Sequence, residues 1–265
     1  MLKWCSYCQR FQGEAPPFDD LRMTHGLCAD CIPLAPTFND RDVESVRTLQ
    51  KLHDALLDVG RQGNVRAADR IIDQAVAAGC RSVDILLGIV APLLYQIGDE
   101  WARGVTTVEQ EHQFTALCEA LYDRVAERSA VGDNPPDAST PPEVLLLNAP
   151  GNEHTLAIRM LALWLRHENH RADVIDAAVA VNDLPGLVRR KHPRLVMISM
   201  ALPDQLSAVE TLVERLVSTS RPDGPRVLVG GYAVKSGLVA SIPGAEMVTD
   251  LVVLRAGALL PGQRV

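Results

Sequence analysis

A strand end, a tight loop and a helix start follow one another in the segment Asn148-Ala-Pro-Gly-Asn-Glu-His154-Thr-Leu-Ala-Ile-Arg-Met160. The apolar run 144–147 before it predicts a buried strand, and the apolar spacing from Leu156 onward predicts an amphipathic helix. The Pro-Gly pair marks the turn between them. In α/β sheets, ligands bind at the carboxyl ends of the strands. His154, on the loop at such an end, is therefore a candidate ligand-binding residue.

Short apolar runs alternate with amphipathic segments through the rest of the chain. After 144–147, the runs fall at 172–175, 195–199, 227–229 and 247–248. Strict alternation of strands and helices favours a parallel, doubly wound sheet with helices on both faces. We predict an α/β domain of this kind over residues 143–265.

Helical periodicity dominates the region upstream of this domain. Apolar residues recur at three- and four-residue steps in four stretches, which begin near Asp40, Asn64, Ser82 and Thr107. Helices of that length joined by short turns are typical of an antiparallel bundle. We therefore predict a four-helix bundle over 38–130. Residues 131–142 are rich in Pro and also contain Gly, Asp, Asn, Ser and Thr, a composition that indicates a linker.

Residues 1–36 form a separate cysteine-rich module with little helical periodicity. Cys5 and Cys8 form one Cys-x-x-Cys pair, and Cys28 and Cys31 form a second after a gap of nineteen residues. Two such pairs predict a tetrahedral zinc site of four thiolates, in which His25 could replace one of the thiolates or donate a hydrogen bond to one. The alternative is four free thiols. A module this small buries little core, so the metal would supply much of its folding free energy.

Length, charge and apolar runs limit the classes of function that the chain can have. The 265 residues suffice for two domains, and the formal net charge of −7 disfavours a nucleic-acid surface. No run approaches the length of about eighteen apolar residues that marks a membrane span, so we expect a cytoplasmic protein without membrane contact. Dinucleotide, P-loop and hydrolase-elbow motifs were not found in the sequence.

The His154 loop resembles the Asp-x-His-x-x-Gly loop of cobalamin-binding Rossmann-like domains. The resemblance implies that His154 coordinates the cobalt from below, with the motif's aspartate orienting the imidazole. Here Asn152 stands at the aspartate position, Glu153 is adjacent, and Ala157 stands at the final glycine position. An amide oxygen is a weaker acceptor than a carboxylate, so His154 should be a less basic ligand than in the family.

Two further strand ends fit the same resemblance. Ser199 ends the third predicted strand, and Gly230 and Gly231 end the fourth. In cobalamin domains, a serine and a glycine pair at these places wall the slot for the nucleotide tail of the cofactor. The resemblance implies that Ser199 hydrogen-bonds the dimethylbenzimidazole base and that the glycines allow its close approach.

A segment of the bundle, 95–112, resembles the helical cap of adenosylcobalamin-sensing photoreceptors of the CarH class. Trp101, Val108, Glu111 and His112 fall at the spacing of the residues that cover the upper face of the corrin in that class. The resemblance implies that the indole stacks on the adenosyl group and that Glu111 accepts from its hydroxyls. Receptors of the class have a histidine after the tryptophan that captures cobalt after photolysis. This chain has Ala102 there.

These resemblances favour a cobalamin-binding sensor that responds to adenosylcobalamin, or to light through it. Its output would pass through a protein partner or a change of oligomeric state, with no direct nucleic-acid binding expected. The alternative is a corrinoid carrier in a methyltransferase system, which shares the bundle and the sheet domain. The sensor hypothesis makes the chain a regulator rather than an enzyme, whereas the carrier hypothesis makes it a methyl-transfer subunit.

Overall fold

The structure is a computed structural model that describes residues 1–34, 40–130, 142–152, 154–175, 179–219 and 224–250. It divides into two compact units, Met1–Asp133 and Asn134–Val265. The first unit holds the cysteine-rich segment together with the helices, and the second holds the parallel sheet. The fold class predicted from the sequence is confirmed.

The helices of the first unit follow the predicted bundle closely. They are α1 Asp40–Arg61, α2 Val65–Ala77, α3 Ser82–Ile85, α4 Ala91–Ala102 and α5 Val108–Ala130. A π-helical segment, Leu86–Val90, joins α3 to α4 without a break, so Ser82–Ala102 is one continuous helical stretch. The sequence pattern does not reveal this segment, because a π-helix changes the backbone hydrogen bonding and not the residue types.

Side-chain caps explain where two of the helices begin. The Asn64 Oδ1 atom accepts a hydrogen bond from the Ala67 N–H at 3.1 Å, at the start of α2. At the start of α5, the Thr107 Oγ1 atom accepts from the Gln110 N–H, and the Gln110 Oε1 atom accepts from the Thr107 N–H. This reciprocal pair is a capping box, and it fixes the turn that precedes α5.

The stretch Ser82–Ala102 is long and apolar enough to cross a membrane, but most of it is buried inside its own unit. Leu86, Val90 and Leu93 are completely buried. A helix that is apolar on most of its faces is expected at the centre of a bundle. Packing within the unit therefore accounts for the apolar composition.

The cysteine-rich segment is more regular than predicted, because it forms a three-stranded sheet. Strands β1 Leu2–Cys5 and β2 Phe11–Glu14 pair antiparallel, and β3 Met23–Gly26 pairs parallel to β1; a 3₁₀ turn, Ile32–Leu34, follows. Each strand has only four residues, too few for an alternation of apolar and polar residues to predict it.

The second unit is an all-parallel five-stranded sheet in the order β5-β4-β6-β7-β8. Its strands are β4 Val144–Asn148, β5 Ala172–Val174, β6 Leu195–Ser199, β7 Arg226–Gly230 and β8 Glu246–Met247. Its helices are α6 Leu156–His167, α7 Leu184–Lys191, α8 Leu206–Thr219 and α9 Tyr232–Lys235, with a 3₁₀ turn at Pro203–Gln205. The central strands are apolar on both faces, as expected of a sheet covered by helices.

The strand order places a topological switch point between β4 and β6. From β4 the chain crosses to β5 on one side, and β6, β7 and β8 follow in turn on the other side. Because the two connections leave in opposite directions, a crevice opens at the carboxyl ends of β4 and β6. The His154 loop follows β4 directly and lies at this crevice.

Candidate functional site

Strand register brings three of the predicted strand ends into one row. Asn148 at the end of β4 pairs with Ser199 at the end of β6, and Ser199 pairs with Gly230 at the end of β7. The Ala149 N–H donates to the Ser199 carbonyl at 2.8 Å, and the Met200 N–H donates to the Gly230 carbonyl at 2.8 Å. The loops that leave these strands are therefore tied together at one edge of the sheet.

Hydrogen bonds to its own backbone hold the His154 loop. The Asn148 side-chain amide donates to the Asn152 carbonyl at 3.2 Å and to the His154 carbonyl at 3.0 Å. The Asn152 Oδ1 atom accepts from the His154 N–H at 3.0 Å. Gly151 has a φ of +83°, a conformation that glycine adopts at little cost. Asn148, which the sequence did not single out, thus positions the loop.

The imidazole of His154 is exposed at the crevice. Within the described ranges, no hydrogen bond to the His154 ring was found, so both ring nitrogens are accessible to a metal. The Asn152 oxygen, predicted to orient the ring, instead accepts from the backbone of His154. Glu153 lies outside the described residues.

The glycines after β7 serve the packing of the sheet edge itself. A Cβ atom at Gly231 would lie 2.5 Å from the Met200 carbonyl oxygen, and its φ is +105°. A Cβ atom at Gly230 would lie 3.0 Å from the Val248 carbonyl oxygen. The close approach of the Met200 backbone therefore explains why residue 231 is a glycine. The contact of both glycines with a cofactor stays a prediction.

An exposed apolar patch lies on the turn between α4 and α5. Trp101, Val105 and Val108 are 50%, 69% and 52% exposed. We call these three residues the cap patch. Three large apolar side chains exposed within residues 101–108 make this turn a candidate binding surface.

The Glu111-His112 pair lies on the first turn of α5, next to the cap patch. The Glu111 Oε1 atom accepts from the Thr115 hydroxyl at 2.9 Å, and its Oε2 atom is 3.6 Å from His112 Nε2. The His112 side chain is largely exposed. Both groups are thus available for further hydrogen bonds on the face that carries Val108.

Glu100, which the sequence did not single out, holds the turn that presents Trp101. Its buried carboxylate accepts from Arg61 at 2.8 and 3.0 Å, from Gln96 at 2.9 Å and from Thr106 at 3.1 Å. Burial acts to raise the pKa of the Glu100 carboxyl, but these hydrogen bonds outweigh it and leave the pKa below its ordinary value. An acidic residue beside a tryptophan carries no recognisable pattern, so only the folded structure identifies this role.

Replacing Glu100 by glutamine should loosen this turn and lower the free energy of unfolding by about 1–2 kcal/mol, since an ion pair with a half-exposed arginine is lost. Because the folded pKa is lowered, the wild-type contribution is present above the unfolded pKa and is lost as the pH falls through the folded value. Urea unfolding of wild type and Glu100→Gln between neutral and acidic pH measures the contribution of Glu100 to the free energy of unfolding. Glu109→Gln is the control, because Glu109 is exposed. Equal midpoints for all three proteins at neutral pH would contradict the assigned role.

The four cysteines of the N-terminal segment converge as predicted. The Sγ atoms of Cys5, Cys8, Cys28 and Cys31 all lie within 4.8 Å of one another. The Cys28 N–H donates to the Cys5 sulfur at 3.4 Å. The cluster could hold one metal ion in a four-thiolate site. The side chain of His25 lies outside the described residues.

Thiol acidity differs within the cluster. Burial acts to raise the pKa of the Cys5 thiol, but the N–H groups of Cys8, Cys28 and Tyr7 outweigh it and lower that pKa to about 7. Burial raises the pKa of Cys31 to about 11, and that of the lone cysteine Cys80 to about 12. Burial also raises the pKa of Cys118, so both of these cysteines are poor nucleophiles.

Two family profiles match the chain, and both describe a B12 binding domain. One matches residues 50–125 in the bundle, and the other matches residues 142–241 in the sheet unit. This chain is a cobalamin-binding protein. The second match contains the His154 loop and the ends of β6 and β7, and the first contains Trp101 and the Glu111-His112 pair.

This cobalamin-binding protein is similar to a curated relative and to solved structures. It is 28% identical over 148 residues to the HTH-type transcriptional repressor CarH of Myxococcus xanthus, a match that covers 56% of this chain and 47% of the repressor. The chain thus spans about half the length of that relative.

Solved structures allow a comparison of the fold. The monomethylamine corrinoid protein of Methanosarcina barkeri has a TM-score of 0.62 at 16% identity, over 79% of this chain and 98% of that one. The methanol:cobalamin methyltransferase complex MtaBC from the same organism has a TM-score of 0.39 at 15% identity, over 89% of this chain and 90% of that one. The first likeness confirms the fold, and the second is too weak for an argument.

Proposed function

We propose that this cobalamin-binding protein is a sensor of adenosylcobalamin, or of light through it. The cap patch is the observation that carries the proposal. In a unit whose other large side chains are mostly buried, an indole is held half-exposed by the Glu100 network. A flat aromatic surface of this kind suits stacking on the adenosyl group of the cofactor.

In this proposal, residues of each unit bind one face of the cofactor. His154 supplies the lower nitrogen ligand to cobalt, with Asn152 and Glu153 beside it, and Ser199 and the glycines border the nucleotide tail. Trp101, Val108, Glu111 and His112 cover the upper face. The exposed imidazole fits a cobalt ligand, since neutral imidazole is a common metal ligand in proteins.

The signal follows from differential binding. Bound adenosylcobalamin would supply a light-sensitive cobalt–carbon bond, and Trp101 and Glu111 would contact its adenosyl group only while that bond is intact. A ligand shifts a conformational equilibrium only through contacts that differ between the two states, and the adenosyl contacts of Trp101 and Glu111 differ in this way. Output passes through a cytoplasmic protein partner or a change in oligomeric state, without direct contact to nucleic acid.

The cysteine cluster holds a zinc ion in this proposal. Its geometry and residue types fit a structural four-thiolate site, which is closed to substrate. Only Lys3, Arg10 and Arg22 are cationic in residues 1–34 apart from the amino terminus. A structural role is therefore favoured over recognition of nucleic acid.

A corrinoid carrier is the second candidate, because the corrinoid protein of Methanosarcina barkeri has the same fold. A carrier has to expose the upper face of cobalt to a methyl donor. The two candidates therefore differ in what the cap patch does: it recognises adenosyl in a sensor, whereas in a carrier it only covers the corrin.

Replacing Trp101 by alanine tests that difference. The variant should still bind cobalamin, because His154 is untouched. Its preference for the adenosyl over the methyl form should fall about fivefold, since one stacking contact is worth about 1 kcal/mol. Titration of both cofactors in the dark measures the preference. Val76→Ala, which shortens another exposed side chain of the bundle, is the matched control.

Illumination of the complex with adenosylcobalamin is the experiment that can contradict the sensor proposal. A complex with adenosylcobalamin prepared in the dark should change its absorption spectrum, hydrodynamic size and protease pattern under green light. Its light state should carry water or His112 above cobalt, because Ala102 cannot supply a ligand. A complex indifferent to light by all three measures, with Trp101→Ala unchanged in preference, leaves the carrier as the better hypothesis.

A further inference from the structure

The cysteine module and the bundle share one apolar contact, centred on Gly88. Trp4 and Phe11 are completely buried, with ring centroids 5.4 Å apart. A Cβ atom at Gly88 would lie 2.5 Å from Trp4 Cζ2 and 2.6 Å from Phe11 Cδ2. Both rings thus pack directly on the backbone of the helix at this residue.

Two further contacts tie the module to other helices of the same unit. The Gln50 Oε1 atom of α1 accepts from the Met23 N–H of β3 at 3.1 Å. The side chain of Gln9 packs near Gly79, in the turn between α2 and α3. The module therefore contacts three parts of the bundle and is not an independent tail.

The cysteine cluster adjoins both rings through strands β1 and β2. Trp4 immediately precedes Cys5 on β1, and Phe11 on β2 is its partner in the strand pair. Cys5 in turn lies within 4.8 Å of the other three sulfur atoms. A metal ion bound there would fix the end of β1, and with it the two rings.

The helix on which the rings pack is π-helical at that point. Gly88 lies in the middle of Leu86–Val90, where the Ala91 N–H donates to the Leu86 carbonyl five residues earlier. A π-helical turn contains one more residue than an α-helical turn. Converting it to α-helix would rotate α4 relative to α3 by about 100°. Trp101 lies near the end of α4, so its direction depends on this segment.

We propose that metal binding at Cys5, Cys8, Cys28 and Cys31 is coupled to cobalamin binding through Trp4, Phe11 and the π-helical segment at Gly88. The metal-bound module holds this segment in the register that presents Trp101 to the cofactor. Loss of the metal releases the rings, and the cap then binds cobalamin more weakly. The inference rests on the proposed role of Trp101 in covering the cofactor.

Gly88→Ala tests the coupling without touching a cysteine. The full-length variant should keep its zinc but bind adenosylcobalamin about tenfold more weakly, a typical size for coupling between two sites. Amide hydrogen exchange over 86–102 should become faster, whereas exchange over α5 should not change. Gly98→Ala is the matched control. A Cβ atom at Gly98 would meet no heavy atom of the described residues within 4 Å. Both variants exchange a helical glycine for alanine, so both gain the same helix propensity.

The effect of the cofactor on the zinc affinity is a second, independent measure of the coupling. If the sites are coupled, adenosylcobalamin must raise the affinity for zinc by the factor by which zinc raises the affinity for adenosylcobalamin. Competition with a zinc chelator, with and without the cofactor, measures that factor on the wild-type chain. This test stays valid even if a metal-free variant fails to fold.

Two outcomes overturn the inference. One is a Gly88→Ala protein that matches Gly98→Ala both in cofactor affinity and in exchange over 86–102. The other is a zinc affinity that the cofactor leaves unchanged. If Trp101→Ala leaves cofactor preference intact while Gly88→Ala still speeds exchange over 86–102, the proposed role of Trp101 fails and the contact between module and helix stands.

Discussion

Replacing His154 by alanine is expected to weaken cobalamin binding by at least about tenfold and to change the absorption spectrum of the bound cofactor. Loss of a group that supports a metal ligand already costs about 10- to 100-fold in affinity, and here the ligand itself is removed. The effect should be local, because the imidazole is exposed and the loop is held by Asn148 and Asn152, not by the ring. Titration with cobalamin, followed by its spectrum, measures both quantities.

His192→Asn is the control for this variant. It removes an imidazole from the end of α7, before β6 begins, and therefore far along the chain from the His154 loop. The backbone φ of His192 is +46°, a value that asparagine tolerates better than most residues do. Affinity and spectrum should match those of the wild type. If His154→Ala behaves like this control, His154 does not bind cobalt.

Replacing Cys28 by serine should remove most of the zinc and lower the free energy of unfolding of the first unit by about 5 kcal/mol. The reason is that loss of the metal frees a small sheet whose Leu2, Trp4 and Phe11 are completely buried. Exposing each such side chain costs about 1.5–3 kcal/mol. Elemental analysis and urea unfolding test the two parts of this expectation.

Cys80→Ala provides the matched comparison, because Cys80 is also a buried free cysteine but lies outside the cluster. It should keep one zinc per chain and nearly all of the stability. Wild-type protein that carries less than about a tenth of an equivalent of zinc, with all four thiols of the cluster titratable, would contradict the zinc site.

The sequence predicted the elements that have a strong periodic signal. The strands at 144–148 and 195–199 and the helix beginning after Asn64 appear where apolar spacing and a capping residue place them. The short strands of the cysteine module were missed. Their pairing is non-local, since Leu2 pairs with Glu14 and with Met23, and four residues are too few to show a period.

The candidate site was only partly predictable from the sequence, because some of its residues act only through contacts made in the folded chain. The four cysteines were singled out by their Cys-x-x-Cys spacing, and His154 by its place on the loop after a strand. Their roles as metal ligands stay predictions. Asn148 and Glu100 were missed because their roles consist of hydrogen bonds to the loops they hold. Asparagine and glutamate occur widely elsewhere, so no spacing distinguishes such residues.

The sequence by itself thus determined the succession of elements, the fold class and the residues able to bind a metal, because periodicity and side-chain chemistry are local properties. Only the tertiary structure decided which elements touch. It joined the cysteine module to the bundle through Trp4 and Phe11, and it placed the end of β4 beside the end of β6. It also made the helix π-helical where these rings pack on Gly88. Such contacts arise from packing between segments distant in the chain, which no local pattern encodes.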